Sequence, residues 1–499
     1  MTILEKNLAA IKLKQPEIAE TLQHSRMGTA YKGIAAAKTG EPTPLFTSGQ
    51  ALQSLYNPAR EAERTVTTSA GFMLFCGIGN GIHIRVFLEK YPQSFCAVTE
   101  SDYESFKQLL SLIDYTELVS DNRTFLLPPC TDSAFETALA AAYLPAVHGT
   151  FGYHILRTWN EYYKAQTKDL PGKIEHALEK IKADFSVQVH FGKIWLRNIF
   201  LNLRLAGSVT PEYPRTDTAR TALILGAGPC LEESLSSLKK QRERYTLFCT
   251  DTAFPAVCAD GFTPEFFIAI DPQNISYQHI IGTIPKETIG IFDLSTQTAT
   301  ARRFYENGNA FFFTAGGHPL VQAAALFSPF PRLPTGSGTV AVAAYHAAQA
   351  LGYRYIKCSG MDFAYTGGKA YARGTYLSEQ YADSASRTCP QEHSFVRLMF
   401  RTETYSKQAK KGITYRTPLL DSYRAAFEAE KHCCISWQCT DFQRFPYTTF
   451  LASFTESLKQ NNRNAVTSIL PALAWCKTHK KENLTDMELV SELISGYTD

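Results

Sequence analysis

The sequence has none of the features that would assign it at once to a metal-binding or nucleic-acid-binding class. Its 499 residues include 12 cysteines but no C-x-x-C pair. The closest cluster, Cys433, Cys434 and Cys439, does not have the ligand spacing of a zinc site. The formal net charge is only +3, whereas an electrostatic nucleic-acid binder needs a concentrated basic face. We therefore expect free thiols in a reducing cytoplasm and no nucleic-acid partner.

Long apolar runs are also scarce. The most apolar tract, 310–330, is interrupted by Gly316-Gly317-His318-Pro319 and falls short of the ~20 continuous apolar residues of a membrane span. Residues 1–14 lack the apolar stretch of a signal peptide. The sequence thus predicts a cytoplasmic protein that does not associate with a membrane.

What the sequence does contain is a strand, a glycine turn and a helix start at 221–231. Four apolar residues lead into Gly226-Ala227-Gly228-Pro229-Cys230, and a helical pattern follows from Leu231. Glycines allow a close backbone approach to a ligand, and free N–H groups at a helix start favour an anion such as a phosphate. Leu231 replaces the third glycine of G-x-G-x-x-G, which favours a nucleotide-sugar over NAD.

A second glycine turn occurs earlier in the chain. Gly77-Ile78-Gly79-Asn80-Gly81 follows an apolar run, and Glu100 ends the next strand-like run. An acid about 20 residues past such a turn is placed to bind a ribose hydroxyl, and the spacing also resembles that of S-adenosylmethionine methyltransferases. A Rossmann-like domain without a ligand fits these residues equally well.

From 221 onward, strand-like and helical segments alternate, which predicts a parallel sheet with its ligands at the carboxyl ends of the strands. Four of the five later strands are followed by an Asp, which suggests a polar pocket, with a cation as an option. The polar residues at these ends are Thr250, Asp251, Thr252, Asp271, Gln273, Asp293, His318, Ser359, Asp362 and Tyr365.

Two further segments extend this predicted pocket. Thr335-Gly336-Ser337-Gly338-Thr339 precedes an alanine-rich helical pattern and predicts a second anion-binding helix start, with a plain helix cap as the alternative. The glycine- and tyrosine-rich loop 363–375 is suited to closing over a base or sugar, with a surface connection as the alternative.

Several of these motifs, in this order, resemble the motility-associated factor (Maf) family of flagellin glycosyltransferases. The resemblance rests on 225–231, 250–253, 264–273, 336–341 and 360–368, with the earlier pattern Gly192-Lys193-x-Trp195-x-x-Asn198-x-x-x-Asn202. The central domain of that family is related to hydroxymethylpterin diphosphokinases. Cys230 stands where the family usually has Ser, and Met361 where it has Gln.

The resemblance implies transfer of a nonulosonic acid from a CMP-sugar to Ser or Thr of flagellin, for flagellum assembly and motility. Gly226, Gly228, Pro229 and Cys230 would hold the nucleotide phosphate, and Asp251, Thr252, Asp271 and Gln273 would meet the nucleoside. Residues 335–339 would face the sugar carboxylate or phosphate. Asp362, Tyr365, His279 and His318 are the candidates for a base or an orienting group. No cofactor is expected beyond the donor, with Mg²⁺ as an option and no metal site assigned.

The predicted fold class is α/β. A smaller Rossmann-like domain with a helical linker (1–210) precedes a Rossmann-like, sialyltransferase-like central domain (211–445), and a helical domain (446–499) follows. A Mg²⁺-dependent diphosphokinase acting on a pterin-like alcohol, using Asp251, Asp271 and Asp362, is the alternative function. A methyltransferase using Gly77–Gly81 and Glu100, or a non-catalytic scaffold, is the third.

Three local expectations concern less informative segments. Arg197, Asn198 and Asn202 are expected on a solvated helical face, with a bridge to a neighbouring domain as the alternative. Arg401, Tyr405 and Gln408 are spaced as on an exposed helix. The run 433–437 is expected to be a last strand.

Overall fold

Apolar runs separated by amphipathic segments fold into two parallel sheets, as their alternation predicts. The structure is a computed structural model that describes residues 1–336, 338–409, 412–479 and 484–497. It divides into two units, Met1–His190 and Phe191–Asp499. The three-part division at residues 210 and 445 stays a prediction. No described helix combines the length and the apolar character needed to cross a bilayer.

The N-terminal unit contains a parallel four-stranded sheet in the order β5-β4-β3-β6, and a separate antiparallel hairpin, β1-β2. Its strands are β1 Tyr31–Ala36, β2 Pro42–Phe46, β3 Phe72–Cys76, β4 Phe95–Thr99, β5 Thr124–Leu126 and β6 Phe151–Ile155. Its helices are α1 Ile3–Lys14, α2 Pro16–His24, α3 Pro58–Thr65, α4 Ile82–Lys90, α5 Tyr103–Leu112, α6 Thr116–Ser120, α7 Phe135–Ala142, α8 Pro145–His148 and α9 Arg157–Tyr162. The start of the segment expected to be helical from 153 is thus a strand, β6.

The C-terminal unit is organised around a six-stranded parallel sheet in the order β11-β10-β9-β8-β7-β12. These strands are β7 Thr221–Leu225, β8 Tyr245–Thr250, β9 Phe266–Ala269, β10 Ile289–Asp293, β11 Phe311–Thr314 and β12 Ile356–Ser359. The helices that precede and alternate with them are α10 Leu170–Ser208, α11 Leu231–Leu238, α12 Phe254–Ala259, α13 Thr298–Asn307, α14 Pro319–Phe327 and α15 Val340–Ala350.

The core of this unit lies between the sheet and the small residues of α15. Ala343, Ala344, Ala347 and Ala348 are fully buried in one cluster with Phe248 and other side chains of the strands. Methyl side chains let a helix approach a sheet closely and still exclude water, which stabilises by roughly 25 cal/mol per Å² of apolar surface. The alanine-rich helix is therefore held at a fixed place against the sheet.

A three-stranded antiparallel sheet, β13-β15-β14, follows the parallel one in the chain. Its strands are β13 Tyr365–Thr366, β14 Tyr405–Ala409 and β15 Gly412–Arg416, and the remaining helices are α16 Tyr376–Asp383, α17 Gln391–Met399, α18 Pro418–Glu430, α19 Tyr447–Lys459, α20 Arg463–Ser468, α21 Leu470–Thr478 and α22 Asp486–Ser495. The helical C-terminal region agrees with the prediction. Tyr405 and Gln408, however, lie on a strand and not on a helix.

Two other local expectations are wrong. The run 433–437 is not a strand. Asn198 and Asn202 of α10 are fully buried and do not form a solvated face. The Nδ2 group of Asn198 donates to the carbonyls of Pro272 and Ser295, and that of Asn202 donates to Leu294 and Thr296. Each amide thus holds loop backbone that follows β9 or β10.

Candidate active site

A cavity of about 750 Å³ lies at the carboxyl ends of the central strands. It reaches the boundary between β7 and β12, where the chain, having built the sheet outward from β7 to β11, returns to the other side of β7. Ligands of open parallel sheets bind at such a switch point. The strand ends and turns contribute Gly226, Ala227, Gly228, Thr250, Thr252, Gln273, Thr339, Gly360, Met361, Asp362, Tyr365 and Tyr371 to the lining.

The amides of the glycine turn are engaged within the chain. The N–H of Gly226 donates to the Ser359 carbonyl at 2.8 Å, and that of Gly228 donates to the Gly360 carbonyl at 2.8 Å. A Cβ on Gly226 would lie 2.5 Å from the Gly360 oxygen, so only glycine allows these two loops to meet. The N–H groups of the two glycines, Gly226 and Gly228, are therefore already used.

The acid of this loop takes the place expected for the phosphate. The N–H of Cys230, at the start of α11, donates to Asp362 Oδ2 at 3.2 Å. A Cβ on Gly228 would lie 2.2 Å from the same oxygen. A carboxylate is favoured at a helix N-terminus for the same electrostatic reason as a phosphate. Gly226, Ala227 and Gly228 line the cavity, so a role for residues 226–230 in holding the donor phosphate stays a prediction.

Cys230 replaces the usual serine without losing all polar contact. Its Sγ accepts a hydrogen bond from the Gly360 N–H at 3.3 Å. Burial and the neighbouring Asp362 raise the pKa of the thiol to about 11. The thiol is therefore protonated at neutral pH, and it is not positioned to act as a thiolate nucleophile.

The tyrosine-rich loop 363–375 is held against the glycine turn. The Ala372 N–H donates to the Ala227 carbonyl at 2.9 Å, and Lys369 forms an ion pair with Glu232 of α11 at 2.9 Å. Ala364, Tyr365, Ala370 and Tyr371 line the cavity. The loop thus forms a wall of the cavity, as the ligand-facing interpretation of the sequence requires.

Asp251, Asp271 and His279 form a separate group next to the cavity. Burial raises the pKa of Asp251, while His279 lowers it and Asp271 adds to the increase. Thr252 donates to Asp251 through its N–H at 2.7 Å, and Gln273 donates to Asp271 through its N–H at 2.9 Å. Thr252 and Gln273 line the cavity, whereas Asp251, Asp271 and His279 do not. These acids therefore orient the residues that line it.

The three acids of the diphosphokinase alternative lie in two places. Asp362 pairs with Cys230, whereas Asp251 lies with Asp271 and His279. Across the described parts of the chain, no group of three or more His, Cys, Asp or Glu side chains is arranged to hold a metal ion. Binding of Mg²⁺ by these acids stays a prediction.

His318 is placed as a helix cap and is absent from the cavity lining. Its Nδ1 accepts the Leu320 N–H at 3.1 Å at the start of α14, and burial lowers its pKa to about 3. Its ring also contacts Trp195, with 5.3 Å between the ring centroids. These contacts describe a neutral structural histidine.

Of the segment 335–339, only Thr339 lines the cavity. Its hydroxyl accepts the Ala341 N–H at 3.4 Å, so it also caps α15. The Thr335 hydroxyl accepts the Gly317 N–H at 3.4 Å, which ties this segment to the end of β11. Gly336 and Gly338 lie outside the lining, as do Pro229 and Cys230. Ser337 lies outside the described residues.

Sequence reasoning missed one side of the cavity. The residues on this side are Leu398 of α17, Arg401, Thr402 and Glu403 between α17 and β14, and Thr417, Pro418, Leu419, Leu420 and Tyr423 at the N-cap and in the first part of α18. Thr417 caps α18, since its hydroxyl accepts the Leu420 N–H at 3.2 Å. The Thr-Pro pair before an apolar helical run is the signal that would have located this helix start.

The glycine turn of the N-terminal unit is filled by side chains of the same unit. Glu100 is fully buried, with Oε1 accepting the Ile78 N–H at 2.6 Å and Oε2 accepting the Trp159 Nε1–H at 2.7 Å. Gln53 Oε1 accepts the Asn80 N–H at 2.6 Å. A Cβ on Gly77 would lie 2.9 Å from the Trp159 ring. Both oxygens of Glu100 are thus engaged, which corrects the expectation that it binds a ribose.

Comparison with known proteins agrees with this architecture. Residues 194–368 match the family described as 6-hydroxymethylpterin diphosphokinase MptE-like. The structure of a Maf glycosyltransferase from Magnetospirillum magneticum AMB-1 superposes with a TM-score of 0.54 at 13% identity, covering 99% of this chain and 90% of that one. The resemblance to the Maf proteins therefore extends to the fold of nearly the whole chain.

Two uncharacterized proteins of Treponema pallidum (strain Nichols) are similar in sequence. One is 38% identical over 248 residues, which are 49% of this chain and 89% of the relative. The other is 43% identical over 167 residues, which are 34% of this chain and 80% of the relative. The chain belongs to the same family as these treponemal proteins, and its α/β fold is that of the Maf glycosyltransferase.

Proposed function

We propose that this chain is a protein O-glycosyltransferase that transfers a nonulosonic acid from a CMP-sugar to Ser or Thr of flagellin. It would act in the cytoplasm before export, in support of flagellum assembly and motility. The observation that carries the proposal is the 750 Å³ cavity at the switch point of the C-terminal sheet, which is in the size range of small-molecule sites. The shared fold with a glycosyltransferase favours this chemistry over other uses of the cavity.

The reaction requires a group that accepts a proton. The acceptor hydroxyl oxygen attacks the anomeric carbon of the sugar, the bond from that carbon to the phosphate oxygen breaks, and CMP leaves with the bonding electrons. Of the four candidate residues, Asp362 and Tyr365 line the cavity. Burial raises the pKa of Tyr365, so its hydroxyl stays protonated at neutral pH and donates a hydrogen bond. Asp362 is then the group that takes the proton from the acceptor.

The proposal is tested by incubating the purified protein with flagellin and a panel of CMP-nonulosonic acids, followed by intact-mass measurement of the flagellin. We expect a mass gain of one or more sugar residues and the release of CMP. A natively folded protein that transfers none of the sugars in the panel would overturn the proposal. Flagellin with its modified Ser and Thr residues replaced by Ala is the matched control.

A Mg²⁺-dependent diphosphokinase is the second candidate, because residues 194–368 match the MptE-like family. It predicts that ATP, Mg²⁺ and a hydroxymethylpterin give AMP and a pterin diphosphate. This activity is read out directly as AMP formation by chromatography. Formation of AMP together with the absence of sugar transfer would favour this candidate over the glycosyltransferase.

A further inference from the structure

One cation lies among the residues that line the cavity. Among the described residues of the lining, Arg401 is the only Lys, Arg or His, and it is exposed to solvent. Within the described parts of the chain it makes no ion pair and no side-chain hydrogen bond. An arginine that faces a cavity without a carboxylate partner has its five N–H donors available to a ligand.

Tyr365 and Tyr371 line the same cavity as Arg401. Burial raises the pKa of both tyrosines, and the positive charge of Arg401 acts on both in the opposite direction. No hydrogen bond occupies either hydroxyl within the described residues. Two neutral O–H donors thus share the cavity with one positive charge.

The other anion sites suggested by the sequence are engaged. Asp362 occupies the Cys230 amide, and Gly226 and Gly228 donate to the 359–360 backbone. The Thr335 hydroxyl is held by Gly317. An anionic ligand that enters this cavity therefore meets available donors on the wall formed by loop 363–375 and the 398–403 segment.

The charged residues of the described lining are Asp362, Glu403 and Arg401. Asp362 accepts the Cys230 N–H, so its carboxylate is already engaged. By sequence, the flanking segment 369–424 holds ten Lys and Arg and five Asp and Glu.

We propose that Arg401, with the hydroxyls of Tyr365 and Tyr371, binds the oxyanion of the ligand in this cavity, either the donor phosphate or the sugar carboxylate. This inference rests on the proposed function for the identity of the ligand. It assigns recognition of the anion to residues outside the glycine turn. Arg401 would form paired hydrogen bonds to two oxygens, and the tyrosines would complete the set.

The test measures binding by calorimetry for the native protein, Arg401→Ala and Tyr371→Phe. The probes are CMP, cytidine and free N-acetylneuraminic acid. We expect Arg401→Ala to lower the affinity for CMP or for the sugar acid by about tenfold or more and to leave the affinity for cytidine unchanged. If Arg401→Ala loses affinity for CMP alone, Arg401 binds the donor phosphate. If it loses affinity for the sugar acid alone, Arg401 binds the sugar carboxylate. Unchanged affinity for both anions would overturn the inference.

Arg397→Ala is the matched control, because it removes one positive charge from α17, four residues before Arg401, and Arg397 is absent from the cavity lining. If both substitutions weaken binding equally, the effect is one of net charge and the inference fails. Failure of the proposed function is separable from this result. Suppose that the native protein binds neither CMP nor the sugar acid but binds ATP or pyrophosphate through Arg401. The anion site would then be supported, and the CMP-sugar donor would be rejected.

Discussion

Asp362 Oδ2 lies 3.2 Å from the backbone nitrogen of Cys230, so one carboxylate both caps helix α11 and lines the cavity. The carbonyl of the same residue accepts a hydrogen bond from Arg424 Nη2 at 2.6 Å. The residue is therefore held at two points, through its carboxylate by Cys230 and through its backbone carbonyl by Arg424. A proton acceptor must be fixed relative to its substrate, and this arrangement provides that constraint.

Replacement of Asp362 by Asn should separate catalysis from folding. The amide oxygen of Asn can still accept the Cys230 N–H, but it cannot take a proton from the acceptor. We expect kcat for sugar transfer to fall at least about 100-fold and the melting temperature to change little. Mass spectrometric rates and calorimetry check this. Full activity of Asp362→Asn would exclude this residue as the base.

Replacement of Asn202 by Leu should destabilise the C-terminal unit. The buried carbonyls of Leu294 and Thr296 would lose their donor while remaining inaccessible to water. We expect a loss of about 2–4 kcal/mol in the free energy of unfolding, measured with urea. Gln188 lies on the same helix but in the N-terminal unit, and its amide donates to Asp184 one turn away. Gln188→Leu should change the free energy of unfolding by about 0.5 kcal/mol or less. A loss no larger than that of Gln188→Leu would contradict the assigned role of Asn202.

Replacement of Cys230 by Ser should be nearly neutral. A hydroxyl can accept the Gly360 N–H as the sulfur does, and the pKa of about 11 keeps the native thiol protonated. We expect transfer rates within about twofold of the native protein, since no thiolate takes part. A large loss of activity in Cys230→Ser, with the melting temperature preserved, would show that the sulfur has a chemical role.

The stability of the N-terminal unit should depend on pH through Glu100. Burial raises the pKa of this carboxyl from 4.5 to about 7, so the folded state binds its proton more tightly than the unfolded chain. Stability is therefore greatest below pH 4.5 and falls as pH rises towards 7, by about 3 kcal/mol for this group. The measured quantity is the difference in free energy of unfolding between the native protein and Glu100→Gln. This difference should decrease by the same amount between pH 4.5 and pH 7. Parallel pH curves for the two proteins would refute the assignment.

Strands that consist of apolar residues, and helices whose apolar residues recur at regular spacing, could be predicted from the sequence. Helix α11, from Leu231 to Leu238, and helix α4, from Ile82 to Lys90, begin and end where the pattern places them. Local signals decide such elements, because a glycine turn precedes each and the apolar period is unbroken. The gathering of Thr252, Gln273 and Asp362 at one cavity also followed from the parallel topology.

The features of the fold and the cavity that the sequence did not predict depend on contacts between segments distant in the chain. The Cys230 amide is satisfied by an acid 132 residues away, and the buried amides of α10 are satisfied by loops that follow two strands. Strand β14 is exposed throughout, so it shows no apolar alternation, and its Tyr405 and Gln408 fit a helical spacing by coincidence. The cavity wall that contains Arg401 was missed for that reason.

In the N-terminal unit, the Glu100 carboxylate accepts hydrogen bonds from the Ile78 N–H of the glycine turn and from the Trp159 ring beside it. A turn whose amides are already engaged offers no phosphate site, so CMP is not expected to bind there. Since a ligand stabilises the part of a protein that binds it, we expect the thermal shift produced by CMP to report on the cavity of the C-terminal unit.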